Sequence, residues 1–416
     1  MDKIESKSKK AYKIAGLISP PSVRRMVRSK PMRKALRRMR ALGEPKQRGK
    51  TKHPSWRCLL VVLVALISGL NYVKDAAKLA RAKRGQFAAF FGDPGWEAPS
   101  YPTLLRAIHR MAEAGHSAKV EAILLGILGA PKGGCQIDGK LIRATRVEGE
   151  GNSAVDCVEL MVGGRVVMSV PCGKGSKEAS ENAAIMRVVL ARAHEIRASG
   201  GVLTIDGIAA NSKITSALSR LGIPFCIVLK KGGKGLEAAV ADNFAAYGGE
   251  LVGRGETVCQ GGRVERRDFY ELPSMKWVWA VYDGKPWEGV GGAGMMRKSS
   301  SRKSGGAESD ETLYFILSEG LGLKAFAEAR RKHWKGIESY HFLVDGSFRE
   351  DSIRLGRKRP ESACLMSSLR KKALECIRSL TGTAIPFDEA RRELGKLPLS
   401  YSFYALSGLG GRVSQG

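Results

Sequence analysis

The sequence predicts an α/β protein in which a mixed sheet follows an all-helical region and carries a β-rich insertion. Three observations support this prediction. Apolar residues recur with the helical period over residues 54–128, strand-like and helical segments alternate over 135–229, and short strand-like segments dominate 248–317. A chain of 416 residues with 43% hydrophobic and 26% charged residues is typical of folded globular proteins, with room for about two to four domains.

Charge is the unusual feature of the composition. Lys and Arg number 70 against 40 Asp and Glu, which leaves a formal net charge of +30. A chain so basic repels itself unless a polyanion neutralises it, so nucleic acid is the leading partner. The first 57 residues hold 19 of the cations against three acids, and residues 31–40 fit a basic helix with Met32, Leu36 and Met39 on one side. That segment suits a phosphate backbone, and it also suits a solvated charge run.

Residues 54–128 predict a helical domain. Helices are expected over residues 54–70, 73–81, 86–91, 101–114 and 117–128. Ser100 or Thr103 is the expected N-cap of the fourth of these helices. Its polar face presents Arg106 and Arg110, which fits a helix-turn-helix DNA reader as well as a plain helical bundle.

After residue 131 the hydrophobic period changes from helical to strand-like. Gly163-Gly164 is a two-residue hairpin signal between two of the predicted strands. Strands are predicted over 135–142, 155–161, 165–170, 201–205 and 224–229, with helices over 177–197 and 212–221. The resulting order, βββαβαβ, is that of a ribonuclease H-like core, in which antiparallel strands are extended by parallel strands that carry crossover helices.

The rest of the chain is predicted to be β-rich and then helical. Strand-like segments are expected over 257–272, 277–282, 290–297 and 312–318, followed by helices over 323–342 and 362–380. By pattern alone the chain divides into a basic N-terminal tail at 1–47, a helical region at 48–130, a mixed α/β region at 131–247, a β-rich stretch at 248–320, a helical stretch at 321–380 and a C-terminal tail at 381–416.

Cysteine spacing argues against a zinc site or a disulfide framework. The eight cysteines lie at least twelve positions apart, so no C-x-x-C pair is present. Buried thiols in a reducing compartment are therefore expected. The longest apolar run, at 58–70, is too short to cross a bilayer, and the first ten residues are polar and charged. A cytoplasmic, nucleoid-associated location is expected.

Two predicted strands end in the same unit. Ile137-Asp138-Gly139 and Ile205-Asp206-Gly207 each place a carboxylate at or near the end of an apolar strand. If these strands are neighbours, as the predicted order requires, the two carboxylates repel one another unless a divalent cation lies between them. Oxygen-only ligands favour magnesium or manganese over zinc. Each Asp-Gly pair alone also suits a turn that ends a strand.

Glu338 is a candidate third acid. It lies in a predicted helix, where Arg331, Lys332 and His333 precede it by up to two turns. Two metals held by three carboxylates can activate a water or 3′-hydroxyl on one side of a phosphodiester and stabilise the leaving oxygen on the other. Glu338 also fits a surface acid that pairs with neighbouring lysines.

Eight separate blocks, in order, carry a resemblance to a known family. The chain resembles the DDE transposases of bacterial insertion sequences, most closely the branch of H-repeat-associated proteins, over roughly residues 48–378. The blocks are KHP at 52–54, PSYPTLLR at 99–106, IDGKLIR at 137–143, LTIDG at 203–207, IVLKK at 227–231, GRVERR at 262–267, ETLYFILS at 311–318, and the segment 333–351.

The resemblance implies a ribonuclease H-like nuclease in which Asp138, Asp206 and Glu338 are the catalytic acids and the ligands of Mg²⁺ or Mn²⁺, with two ions expected. It implies double-stranded DNA as the partner, both as terminal inverted repeats and as target, bound by a homodimer. It also implies that 48–130 is a DNA-binding domain, 131–247 the first part of the core, 248–320 an insertion and 321–380 the completion of the core. Cationic residues in or near the matching blocks are the candidate DNA contacts: Arg106, Arg110, Lys140, Arg143, Lys230, Arg263, Arg331 and His333.

One departure from the family leaves two functions open. The family's usual run is His-Trp-x-Ile-Glu-Asn, whereas Lys335 and Gly336 both stand between Trp334 and Ile337 here, so the glutamate falls one residue late. One position on a helix turns a side chain by about 100°. The leading hypothesis is an active transposase that cleaves and transfers strands at insertion-sequence ends. The alternatives are a catalytically inactive transposase relic that binds DNA, and a nuclease that cuts without joining.

Overall fold

The computed structural model describes residues 14, 18–44, 51–146, 154–173, 177–206, 210–230, 232, 235–247, 250–258, 263–302, 309–352, 355, 359–382 and 385–408. For residues 177–179, 247, 250–258, 263, 302, 309 and 334–339 it describes the backbone alone.

A helical region precedes the sheet. Its helices are α1 (Val23–Val27), α2 (Lys30–Ala41), α3 (Ser55–Ile67), α4 (Val73–Ala82), α5 (Arg84–Phe91), α6 (Tyr101–Glu113) and α7 (Ser117–Leu128). The helices predicted over 54–128 are thereby confirmed. Helix α3 is apolar on all sides and is accordingly buried on all sides. Ser100 is the N-cap of α6, because its hydroxyl accepts a hydrogen bond from the Thr103 amide (3.4 Å).

The predicted βββαβαβ order is confirmed. The elements are β1 (Gly133–Ile142), β2 (Val155–Val162), β3 (Arg165–Pro171), α8 (Lys177–Ala198), β4 (Gly200–Ile205), α9 (Ser212–Arg220), β5 (Phe225–Val228) and α10 (Leu236–Tyr247). Strand β1 is central, since it pairs antiparallel with β2 and parallel with β4. Strand β2 continues antiparallel to β3, and β4 continues parallel to β5.

The turn between β2 and β3 requires glycine. Gly163 and Gly164 have φ values of +54° and +74°, as a two-residue hairpin turn of the primed type demands. A Cβ on Gly163 would lie 2.2 Å from the carbonyl oxygen of Lys132. Both the conformation and the space therefore exclude other residues at position 163.

The β-rich insertion extends the core sheet. It comprises β6 (Glu250–Val258), β7 (Arg263–Leu272), α11 (Lys276–Val281), β8 (Val290–Arg302) and β9 (Ser309–Ser318). Strand β9 pairs antiparallel with β5, and the sheet order in the described residues is β3-β2-β1-β4-β5-β9-β8-β7-β6. The insertion therefore shares hydrogen bonds with the core.

One segment of the insertion is helical where a strand is predicted. Residues 277–282 fall mainly in α11, in which Val278 is buried while Trp277 is 56% exposed. A short run of apolar and aromatic residues has no periodicity long enough to distinguish a helix from a strand. The predicted strand at 257–272 is likewise two strands, β6 and β7, with residues 259–262 between them outside the described part.

Helices of the C-terminal third pack against the sheet and against the N-terminal helical region. Helix α12 (Leu323–Ser347) packs against β1 and β4, and α13 (Pro360–Thr381) packs against β3, α3, α6 and α7. Helices α14 (Phe387–Lys396) and α15 (Leu399–Leu406) follow. The prediction of a C-terminal tail at 381–416 is thus wrong for residues 387–406, while residues 409–416 of that tail lie outside the described residues.

Helix α15 completes the core of the N-terminal helices. Phe403 is fully buried, stacks on Phe90 with ring centroids 4.4 Å apart, and meets the edge of Phe87 at 5.6 Å. At the N-terminal end, α1 and α2 bury Met26, Met32 and Met39, so this part of the predicted basic tail is folded onto the same core. Of the rest of that tail, the structure describes residues 14, 18–22, 28–29 and 42–44.

The expectation that all cysteines are free thiols is wrong. Cys157 of β2 and Cys364 of α13 form a disulfide across a sequence separation of 207 residues. The pairing depends on the packing of α13 against the sheet, which residue spacing does not reveal. The cysteines of the described part outside this disulfide are Cys58, Cys135, Cys172, Cys226 and Cys376, and Cys259 lies outside the described part.

None of the helices in the described ranges is both long enough and apolar enough to span a bilayer.

The position of α15 generates a stability prediction. Phe403→Ala removes an aromatic ring that is fully buried, so it should lower the free energy of unfolding by about 3–5 kcal/mol. Urea denaturation followed by circular dichroism measures the change. Arg392→Ala, at an exposed position of α14, is the control and should change stability by less than about 0.5 kcal/mol. Unfolding of Phe403→Ala at the wild-type urea concentration would show that the C-terminal helices do not support the core.

Candidate active site

Two of the predicted acids lie side by side. Strands β1 and β4 are parallel, with Ile137 opposite Ile205 in the register. Asp138 and Asp206 each follow one of these paired residues, so both carboxylates stand at the same point of the sheet. Asp138 is partly buried and Asp206 is exposed. The predicted adjacency of the two strands, on which the metal-site argument depends, is therefore observed.

The surroundings of Asp138 disfavour the ionised form of its carboxyl. Burial raises the pKa of its carboxyl, and the negative charge of Asp206 raises it further, against an opposing effect of His341. The Gly139 amide donates a hydrogen bond to Oδ1 of Asp138 (2.8 Å), and Nδ1 of His341 lies 3.9 Å from Oδ2. In the protein without bound ions, Asp138 therefore ionises less readily than an isolated aspartate, and a second acid, Asp206, lies beside it.

A buried ion pair lies beneath the acids. Glu159 of β2 is opposite Asp138 in the antiparallel register and is 1% exposed. Lys371 of α13 is fully buried and donates a hydrogen bond from Nζ to Oε1 of Glu159, and a second to the Ser367 hydroxyl at 2.7 Å. His341 Nε2 lies 3.4 Å from Oε2 of Glu159. Glu159 thus links α13, through His341, to the neighbourhood of Asp138.

A second buried cluster fixes Lys140, two residues beyond Asp138. Its Nζ donates to Asp345 of α12 at 2.5 Å and lies 3.7 Å from Glu350. Glu350 is fully buried and is also held by Arg370 of α13 at 3.2 Å. These ion pairs join β1 to α12 and α13. Because unpaired charges are costly away from water, the cluster strongly constrains the relative positions of the three elements.

Two predicted DNA contacts are not on the surface. Lys140 is only 6% exposed and occupied by the carboxylates just described, so it is not available to a phosphate. His333 is 7% exposed and its Nδ1 lies 2.7 Å from the Thr204 hydroxyl, which itself donates to the Cys135 carbonyl. Burial, together with the nearby charge of Arg330, lowers the pKa of His333 to about 3, so its ring is neutral at pH 7.

Other predicted DNA contacts remain on the surface. Arg106, Arg143, Lys230 and Arg331 are exposed, whereas Arg110 is half-buried. Lys230 lies two residues beyond the end of β5, and β5 pairs in parallel with β4, so it lies at the sheet edge where Asp206 is found. The side chain of Arg263 lies outside the described atoms.

The backbone of α12 is helical through the position of the third predicted acid. Residues 323–347 form one helix that includes Lys335 and Gly336. Its contacts on either side of residue 338 are His333 with Thr204, one residue before the end of β4, and His341 near Asp138. The side chain of Glu338 itself lies outside the described atoms, and among the described residues no group of three or more His, Cys, Asp or Glu is arranged as a metal site.

Sequence reasoning missed the buried charges. Glu159 is flanked by apolar residues in β2, and Lys371 stands on a helix that also buries Arg370 and Lys372. An acid in an apolar strand and a cluster of cations in a buried helix are signals of a paired interior charge. They do not identify the partner, because Glu159 and Lys371 are 212 residues apart.

Comparisons with known proteins give a distant relative. No protein-family model matches the chain. The chain is 22% identical over 345 residues, 80% of its length, to the Escherichia coli O157:H7 protein named "Putative transposase YncI", of which the match covers 84%. Among solved structures, the piggyBac transposase synaptic complex with hairpin DNA aligns with 89% of this chain and 77% of its own, at 10% sequence identity and a TM-score of 0.36. That TM-score does not establish a shared fold.

The ion pair beneath the acids generates a coupled prediction. Lys371→Met leaves Glu159 buried without its cation and should lower the free energy of unfolding by about 3–5 kcal/mol. Adding Glu159→Gln removes the orphaned charge and should recover more than half of that loss. Urea denaturation of both single variants and the double variant measures the coupling, with exposed Lys83→Met as control. Additive losses in the double variant would contradict a direct interaction.

Proposed function

We propose that this protein is a DDE-type polynucleotidyl transferase, a transposase that cleaves DNA at the ends of an insertion sequence and transfers the strands to a target. The observation that carries the proposal is the parallel pairing of β1 with β4, because it sets Asp138 and Asp206 beside one another. The sequence similarity to YncI supports a role in transposition.

A ribonuclease H-like core is part of the proposal. The order β3-β2-β1-β4-β5, with β1 to β3 antiparallel and β1, β4 and β5 parallel, supports it. In such open sheets, sites form where a central strand meets its parallel neighbour at their carboxyl ends. Asp206 stands at the end of β4, at that edge of the sheet.

The residues fit divalent cations. Asp138 and Asp206 offer only oxygen ligands, which suit Mg²⁺ or Mn²⁺. Burial and the charge of Asp206 raise the pKa of Asp138, and a bound cation relieves both effects by stabilising the ionised carboxylates. When bound, a pair of such ions activates the attacking oxygen and stabilises the leaving oxygen of a phosphodiester.

The helical register supports Glu338 as the third acid. Position 338 is three residues before His341 and seven before Asp345 on one continuous helix. Residues at i, i+3 and i+7 share a helix face. His341 and Asp345 meet the β1 side of the site, through Asp138 and Lys140 respectively. Position 338 thus shares the helix face of His341 and Asp345, which is turned to the acids, without the spacing between Trp334 and Ile337 that is usual in the family.

In the proposed reaction, the acids and the exposed cations of the chain have separate roles. Asp138, Asp206 and Glu338 would hold the divalent ions beside the reacting phosphodiester, while exposed Arg143, Lys230 and Arg331 are suited to bind neighbouring phosphates. In cleavage, a water oxygen bonds to phosphorus as the bond to the 3′ oxygen breaks. In strand transfer, the freed 3′-hydroxyl attacks a target phosphodiester and the target's own 3′ oxygen leaves. A homodimer on DNA stays a prediction.

The second candidate is an inactive relic that binds DNA. The extra residue between Trp334 and Ile337 favours it, since the family keeps one residue there where this chain has Lys335 and Gly336. The two candidates differ only in catalysis, so an assay of cleavage on a bound substrate separates them.

The acids generate the first functional prediction. Asp138→Asn and Asp206→Asn keep side-chain volume but remove a coordinating charge, so cleavage of linear element ends with Mg²⁺ should fall by at least about 10²-fold while DNA binding persists. Gel analysis of nicked and joined products, beside a binding assay, measures both. Asp283→Asn, at an exposed loop acid, makes the same charge change and should cleave normally. Unchanged cleavage by either site variant would refute the assignment, and absence of cleavage by the wild type would favour the relic.

The helical register of α12 generates the second functional prediction. Glu338→Gln should abolish cleavage, whereas Glu328→Gln, an exposed acid on the same helix, should leave it intact. Glu350, by contrast, is buried against Arg370 and Lys140, so Glu350→Gln should lower the free energy of unfolding. Normal cleavage by Glu338→Gln would exclude Glu338 from the site.

A further inference from the structure

Helices α1 and α2 present an uncompensated basic surface. Neither helix contains an acid, and no carboxylate of the described residues forms an ion pair with any of their exposed cations. These cations, called here the basic face, are Arg24, Arg25, Arg28, Lys30, Arg33, Lys34, Arg37, Arg38 and Arg40. Elsewhere on the surface, by contrast, Arg220 pairs with Glu288 and Arg359 pairs with Glu113.

The basic face is held rigidly. Met26, Met32 and Met39 are buried, and through them α2 packs against α7 while α1 packs against α5 and α15. The cations therefore keep a fixed spacing. A preformed array of charges loses little conformational entropy when a partner binds, in contrast to the solvated run that the sequence alone also allows.

One side of the basic face borders a groove of about 700 Å³. Lys30, Arg33, Lys34, Arg37 and Arg40 line it on α2, and its floor is formed by Trp56, Phe90 and Phe91. Arg40 lies over the Trp56 ring at 6.0 Å. The row of cations along one wall of this groove suits the phosphates of one strand of a DNA duplex.

Two features favour nucleic acid over a membrane. An interfacial helix needs an apolar face that can enter the lipid, but the apolar face of α2 is already buried in the protein core. None of the large exposed hydrophobic residues in the described part belongs to α1 or α2. The length also fits: the 12 residues of α2 extend about 18 Å, the span of about five phosphates on one DNA strand.

We propose that the basic face of α1 and α2 is a docking surface for the sugar–phosphate backbone of duplex DNA, separate from the acids on β1 and β4. Its contacts are to phosphates, which carry no sequence information, so it binds duplexes of different sequence alike. The proposal rests on the proposed function in taking DNA as the substrate. It concerns a part of the chain that precedes residue 48, where the resemblance to the transposase family begins.

The test is the salt dependence of binding. The triple variant Arg33→Gln/Arg37→Gln/Arg40→Gln changes cations at i, i+4 and i+7 that line the groove. Its affinity for a duplex of arbitrary sequence should fall by at least about tenfold at 0.1 M salt, and the slope of log K against log salt should flatten by up to about 2.7, or 0.9 for each lost contact. Fluorescence anisotropy in the full-length protein, without divalent metal, measures both.

The matched control is Lys52→Gln/Arg220→Gln/Arg359→Gln, which removes the same net charge from exposed cations that already pair with acids. It should keep the wild-type slope. Circular dichroism verifies that both variants are folded. An equal loss in both triple variants, or no loss in the first, would overturn the proposal. If the wild type bound vesicles of anionic phospholipid as tightly as it binds DNA, and the first variant did not, the proposal would be overturned in favour of a membrane.

This test is independent of catalysis. A flattened slope in a protein that never cleaves DNA would support the docking surface and refute only the active transposase. Cleavage of element ends with an unchanged slope in the Arg33, Arg37 and Arg40 variant would support the proposed function and overturn the docking surface.

Discussion

The parallel pairing of β1 with β4 is the constraint on which the candidate site depends. It places Ile137 opposite Ile205, and from this register Asp138 and Asp206 become neighbours. A slip of one residue would turn each side chain to the other face of the sheet. Ile137 and Ile205, which are buried in the apolar core, oppose such a slip because it would move them to the face that carries the acids. The position of the carboxylates is thus secured by hydrophobic burial at adjacent positions.

Buried ion pairs then connect this sheet to the helices. Lys371 reaches Glu159, and Arg370 reaches Glu350, so α13 is held to β2 and to the segment after α12 by charges with almost no access to water. Removing one partner of such a pair is far more damaging than exchanging both for apolar residues. A single hydrophobic core also unites the N-terminal helices with α13 to α15. The helical region and the sheet therefore form one structural unit around the acids.

The distribution of charge separates two kinds of cation. Lys140, Arg370 and Lys371 are interior and are neutralised by acids, so they contribute to the fold. The cations of α1 and α2 are exposed and lack such partners among the described residues. The net charge of +30 does not distinguish these roles. Only burial and pairing tell which cations remain available to a polyanion.

Local patterns in the sequence were sufficient for the element order, the hairpin at Gly163-Gly164 and the two Asp-Gly units, because periodicity and turn chemistry depend on neighbouring residues. They failed where the deciding contacts are distant. The docking of Phe403 on Phe90, the disulfide between Cys157 and Cys364, and the burial of Lys140 and His333 all depend on partners far along the chain. The residues on either side of a position do not reveal such contacts, because tertiary packing brings together segments that are distant in the sequence.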